Sequence, residues 1–281
     1  FIPAEARESV RGKKTDPTVF VDPIMTYCHV LGYGRYEFVE YRYERDRFDY
    51  SLFRILRPFS IPEAAGCLAG AISAVVGGDH AVYYEEVSAG LYELTSSWTD
   101  YPEVLEEKMP LAPYRHRDGD MELARCPSCG GPWALRSFHW YLEDGLILSR
   151  HTRKRMAVVG PELLDLLFQA LAQELGETIP GVVVEAQRRF ARTGFYSVEE
   201  IGDEEYLRSQ LALRGLGNLR EMRMGAKGAR LRIDNAAGYL LVVGMVQGLF
   251  ETAFGVDSRA EWELSEAGDL RLEIVPPKVL T

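Results

Sequence analysis

Two cysteines three residues apart, in Cys126-Pro127-Ser128-Cys129-Gly130-Gly131, carry the sharpest chemical signal in the chain. A C-x-x-C turn aims two thiolates at one cation, and the proline and glycines shape the knuckle that does so. A zinc ribbon would supply a second C-x-x-C about 15–20 residues on, and the sequence has none. Further ligands would have to come from His139, His151 or His116, or from Cys28 or Cys67 brought near by the fold. Three readings stay open: a structural zinc on Cys126, Cys129 and His139, a plain reduced thiol turn, and a redox or dimer-linking pair. A redox C-x-x-C usually opens a helix, which Gly130-Gly131-Pro132 disfavours.

Other chemistry is sparse. No G-x-S-x-G elbow, Walker loop or dinucleotide fingerprint occurs. Cys28 and His29 are adjacent and so poorly placed to act on each other, and His80 beside Asp79 reads as a turn residue. Aromatic side chains crowd the first half, from Tyr27 to Phe53. Such rings can line an apolar pocket, with their hydroxyls orienting a ligand. Tyr41, Tyr43 and Phe53, with Cys67, Phe250 and Trp262 from elsewhere in the chain, are the expected ligand-binding residues; ordinary core is the alternative for each. No catalytic residue is assigned.

The elements that must position these residues come from a repeat. Shifted by 178 residues, Gly66–Leu94 aligns without a gap on Gly244–Leu272. Gly66, Gly70 and Gly77 fall on Gly244, Gly248 and Gly255, while Asp79, Glu85, Ala89, Gly90 and Leu94 meet identical residues. Each copy predicts an apolar helix with glycines four apart, open to close approach by another element, then two strands around a glycine turn. Ser60-Ile61-Pro62-Glu63 is a capping box for the first helix. A Tyr- and Val-rich hairpin precedes it, and the hairpin Leu219–Met224/Ala229–Ile233 precedes the second. Additional helices are expected after Gly160-Pro161, with Leu163, Leu166, Leu167, Ala170 and Leu171 on one face, after Thr178-Ile179-Pro180, and after the capping box Ser197-Val198-Glu199-Glu200.

The expected fold class is therefore α+β. It has two related halves, each an antiparallel sheet with a glycine-spaced packing helix, joined by a small C-x-x-C insert. The boundaries are 19–98 for a shorter first half, 99–157 for connector and insert, and 158–278 for a fuller second half. Residues 1 to about 18 read as a flexible or weakly docked arm.

Composition limits the partners. A net charge of −10 argues against a general nucleic-acid surface. The most apolar window, Ala236–Phe250, is too short to span a bilayer. Four cysteines do not make a disulfide framework, so a reducing cytoplasm is the expected location. Because the chain begins at Phe1 rather than Met, a preceding segment is expected to be removed or to lie outside it.

The order of elements resembles the 4-vinyl-reductase-type domain. The residues that carry the likeness are Gly244-Met245-Val246-Gln247-Gly248 and Trp262-Glu263-Leu264-Ser265-Glu266-Ala267-Gly268-Asp269. It covers residues 160–276 well and 35–98 in part. That domain is used as a hydrocarbon-sensing module in phenol-responsive regulators and is related to a fold in vesicle-transport subunits. The resemblance implies helices on an antiparallel sheet, a pocket for a small apolar or aromatic molecule, and a tendency to dimerise. Many members hold zinc through cysteines in the hairpin after the helix. Here those positions are Ser88 and Glu266, so zinc is not expected at either repeat. The expected function is non-catalytic binding or sensing of a small hydrophobic molecule, with a homodimer or signalling partner. An enzyme acting on an aromatic or tetrapyrrole-like substrate, or an adaptor with filled pockets, is the alternative.

Overall fold

The structure is a computed structural model, and it describes residues 4–12, 16–100, 116–198 and 202–277. The chain forms two compact units, Phe1–Leu105 with Arg136–Val158, and Glu106–Leu135 with Val159–Thr281. The segment expected as one insert, 99–157, is thus shared between them: its C-x-x-C belongs to the second unit and its hairpin to the first. The connector prolines Pro102, Pro110 and Pro113 lie outside the described residues, as do Glu199 and Glu200 of the capping box.

In the first unit, β1 (Arg35–Arg42) and β2 (Tyr50–Leu56) form a hairpin, followed by α3 (Ile61–Val76) and by β3 (His80–Ser88) and β4 (Leu91–Trp98). The sheet order is β1-β2-β4-β3, and every pairing is antiparallel. Ser60 caps α3 by accepting a hydrogen bond from the Glu63 amide at 3.4 Å, the serine half of the expected capping box, while Glu63 Oε1 is buried without a hydrogen-bond partner among the described residues. A separate sheet, β5 (Phe138–Tyr141), β6 (Leu146–Ser149) and β7 (Arg155–Met156), completes the unit. The first residues are not a loose arm. They form α1 (Ala4–Arg11), whose Val10 is fully buried and whose Val10 and Arg11 carbonyls accept hydrogen bonds from Arg45. A second helix, α2 (Val21–Leu31), leads into β1.

In the second unit, α4 (Pro161–Leu175), α5 (Ile179–Phe190) and α6 (Glu204–Leu213) precede the same core plan. The hairpin of β8 (Asn218–Gly225) and β9 (Gly228–Asp234) is followed by α7 (Tyr239–Phe254), then β10 (Arg259–Leu264) and β11 (Leu270–Val275). Read from β8 the order is β8-β9-β11-β10, matching the first sheet strand for strand. The registers match too. Phe53 pairs with Leu94, Ile55 with Tyr92 and Tyr84 with Leu94; adding 178 gives the observed pairs Leu231–Leu272, Ile233–Leu270 and Trp262–Leu272. Since a slip of one residue exchanges the faces of a strand, this agreement means the same positions look inward in both units. On α4 the apolar face is only partly covered: Leu163, Leu167 and Leu171 are exposed, Leu166 and Ala170 are half-buried, and Phe168 packs on the core.

The glycine pairs differ in what they meet. A Cβ at Gly244 would overlap the Val184 carbonyl, and one at Gly248 the Arg188 carbonyl, so α5 and α7 are in backbone contact along this seam. Around Gly66 and Gly70 there is nothing within 4 Å. Two changes of the same kind should therefore act in opposite directions. Gly70→Ala is expected to stabilise by about 0.5–1 kcal/mol through helix propensity. Gly248→Leu is expected to destabilise by about 1–3 kcal/mol or more through overpacking. Urea unfolding of the two variants checks this, and equal effects would contradict it.

Candidate functional site

A cleft of about 680 Å³, part of it open to solvent, lies within the first unit. Its floor is β1 and β2, with Phe38, Tyr41, Tyr50 and Phe53, and its walls are the sheet-facing side of α3 and the segment from Pro17 to Ile24. Phe38 holds the floor together, with ring centroids 5.2 Å from Phe53 and 5.8 Å from Tyr41. A mainly apolar lining with a few polar groups is the kind that receives a small molecule.

Several side chains of α3 are smaller than their counterparts on α7. Under the 178-residue shift, Ala64, Ala65, Ala71 and Ile72 correspond to Val242, Val243, Leu249 and Phe250 of α7, all four of which are fully buried. In the second unit these larger groups fill the space over the sheet. In the first unit, Ala71 and Ile72 line the opening instead.

Few polar groups reach the cleft. Asp49 is buried, and its carboxylate accepts from the backbone amides of Glu44, Arg45 and Asp46 at 2.6–3.1 Å and from Arg42 at 3.1 Å, which ties down the loop between β1 and β2. Ser51 and Ser96 share a hydrogen bond of 2.7 Å across β2 and β4. At the mouth, the Tyr41 hydroxyl donates to Asp16 at 2.9 Å, and Asp16 also accepts from the Thr18 amide and hydroxyl. The Thr18 bonds hold the Asp16 carboxyl below its ordinary range. His80 is buried under the Trp98 ring, with Nδ1 3.3 Å from the Gly78 carbonyl and 3.5 Å from the Ser73 hydroxyl. Burial pushes its pKa down, so the ring is neutral near pH 7. Facing a carbonyl, Nδ1 carries the proton, and Nε2 is the acceptor.

Three of the expected ligand-binding residues, Tyr41, Tyr43 and Phe53, line the cleft. The other three lie elsewhere. Cys67 is exposed on α3, Phe250 is sealed in the core of the second unit, and Trp262 packs against that core. Sequence reasoning passed over Ala71, Ile72, Ser96 and His80. The signal for the helix pair was present, because the repeat alignment sets small residues against large ones at those positions.

The thiols form a separate feature. Cys126 and Cys129 sit in the second unit, whereas His139 lies on β5 of the first, its ring 4.4 Å from that of Tyr141. Hydrogen bonds from Ser128 and Cys129 draw the Cys126 pKa down to about 7. Among the described residues there is no group of three or more His, Cys, Asp or Glu that could hold a metal.

No protein-family model matches the chain, and no curated protein matches it. Weak similarity to solved structures covers 46% of the chain. One is the Fe(II) unliganded H-NOX protein from K. algicida, at 13% identity over 80% of its length, with a TM-score of 0.34. Another is a mutant of H-NOX from T. tengcongensis, at 10% identity over 81% of its length, with a TM-score of 0.29. Scores this low do not establish a shared fold. No helix among the described residues is long and apolar enough to cross a membrane.

Buried His80 and half-buried His29 set a pH dependence. His80 and His29, the latter accepting the Tyr36 amide at 2.8 Å through Nε2, both have pKa values lowered by burial. The unfolded chain takes up these protons at about pH 6.5 and the folded chain at lower pH. Their contribution is therefore intact above that pH and is lost as pH falls toward the folded values. Glu63, pushed up by burial, acts in the opposite sense. Urea midpoints at pH 7.5 and 5.5 should fall less in His80→Gln and His29→Gln than in the parent. An equal fall in all three would contradict the assignment.

Proposed function

We propose that the first unit is a receptor for a small, largely apolar or aromatic molecule bearing one hydrogen-bond donor, and that the chain works by binding it rather than by transforming it. The carrying observation is the replacement of Leu249 and Phe250 by Ala71 and Ile72 over an otherwise matching sheet, which leaves a cleft where the second unit has core. The phenyl faces of Phe38, Tyr41 and Phe53 suit an aromatic ring. His80 Nε2 and the Ser51–Ser96 pair are the groups that would accept a hydroxyl proton.

We read the second unit as a second copy of the same domain whose space is filled by side chains. The matching strand order and registers support an internal duplication. On this reading the 4-vinyl-reductase-type resemblance describes the scaffold, and the ligand belongs to the first copy rather than the fuller second one.

Native mass spectrometry of the purified chain, before and after incubation with a panel of phenols and alkylbenzenes, tests this. One small molecule per chain is expected. Ala71→Leu combined with Ile72→Phe, which installs the side chains of the second unit, should weaken uptake by at least about tenfold, the loss that 1.4 kcal/mol represents. Uptake unchanged by that pair, in protein that still unfolds cooperatively, would overturn the proposal.

A further inference from the structure

The segment from Arg125 to Pro132 is folded tightly around its sulfurs. Arg125 and Pro132 bridge as in an antiparallel ladder. Within that bridge the Cys126 amide donates to the Gly131 carbonyl at 2.8 Å, and the Gly130 amide donates to the Cys126 carbonyl at 2.8 Å. Gly130 has φ 72°, so the turn that follows the second cysteine favours glycine there. The Ser128 hydroxyl lies 3.1 Å from Cys126 Sγ. Both cysteines thus lie in one tight turn at the surface, with Cys129 exposed and Cys126 partly so.

This is half of a tetrahedral thiolate shell. A structural zinc is held by four ligands, and two of them are already oriented here. The other half is not among the described residues of the same chain, where no third His, Cys, Asp or Glu joins the pair. A two-fold axis supplies it without any further residue type, because a patch that meets its own copy doubles every ligand it carries. Arg125 adds a fixed positive charge beside the knuckle, its guanidinium donating to the Gly130 carbonyl at 3.2 Å. That charge offsets the net double negative charge of a zinc ion held by four thiolates. A helix does not begin at the second cysteine, as it does in disulfide-exchange motifs; Gly130, Gly131 and Pro132 lead instead into a 3-10 turn at Trp133–Ser137.

We propose that Cys126 and Cys129 bind zinc together with the same two cysteines of a second copy of this chain, so that one metal ion joins two chains. Each thiol gives up its proton to solvent on ligation, and no redox step is involved. The site is independent of the cleft in the first unit, and each can fail without the other.

The test uses the full chain, loaded with zinc and desalted. Zinc content and molecular mass by light scattering should give one zinc per two chains and a dimer. A chelator should convert the dimer to monomer, and zinc should restore it. Cobalt in place of zinc should show the charge-transfer intensity of four thiolates per metal, a readout on unmutated protein. Cys126→Ser and Cys129→Ser should each be monomeric and metal-free. One zinc bound per monomer would overturn the proposal, and its loss in His139→Ala would assign the third ligand within the chain. A dimer that survives the chelator, or zinc-exposed protein that binds none, would also overturn it.

Discussion

One constraint governs both units: the helix after the first hairpin has to cover much of one face of a four-stranded antiparallel sheet, and the volume of its inward side chains helps decide whether the space between is full or hollow. In the second unit α7 brings Val242, Val243, Leu249 and Phe250, all fully buried. Burying such side chains is worth roughly 1.5–3 kcal/mol each. In the first unit α3 brings three alanines and an isoleucine to the same register, on a sheet with the same pairing. Trimming a large core side chain to alanine typically loses about 2–5 kcal/mol, part of it from the cavity left behind. A ligand that refills the space restores contacts that exist only in the folded state, and so stabilises the first unit by mass action.

The outer face of each helix follows from the same economy of space. Because Gly244 and Gly248 carry no side chain, α5 closes on α7 until backbone meets backbone. That approach brings Arg188 to Glu251, which is buried and accepts from the arginine Nε at 2.8–3.0 Å and from the Ser258 amide and hydroxyl at 2.8 and 2.9 Å. Without those partners a buried carboxylate would be strongly destabilising. The equivalent positions in the first unit are Ser73 and His80, which face each other without a formal charge. The polar tie at the end of the helix thus survives in both units, scaled to what each can solvate. In the first unit it stands at the cleft, where the histidine is available to a ligand.

Much of the scaffold could be read from the sequence, and for a physical reason. Glycine spacing, capping residues and strand alternation are local signals, so the order hairpin, helix, hairpin was visible around both Gly66–Leu94 and Gly244–Leu272. The docking of α1 was not, since it depends on Arg45 reaching the Val10 and Arg11 carbonyls from 35 and 34 residues away. The exposure of Leu163, Leu167 and Leu171 was hidden for a similar reason: periodicity gives the apolar face of α4 but not whether anything covers it. For the site, aromatic density pointed to Tyr41, Tyr43 and Phe53. It could not separate them from Phe250 and Trp262, because a ring that fills a core and one that lines a cleft have the same composition. The deciding residues were small ones, Ala71 above all, whose importance lies in the side chain that is missing.

A crystal structure of the chain determined under xenon pressure tests the hollow-and-filled account most directly, because apolar hollows take up xenon whatever the natural ligand. The account predicts xenon between α3 and the strands β1 and β2, near Ala71, Ile72 and Phe53, and none between α7 and its sheet. Xenon absent from the first unit, with α3 settled onto the strands, would contradict it, as would equal occupancy beneath both helices.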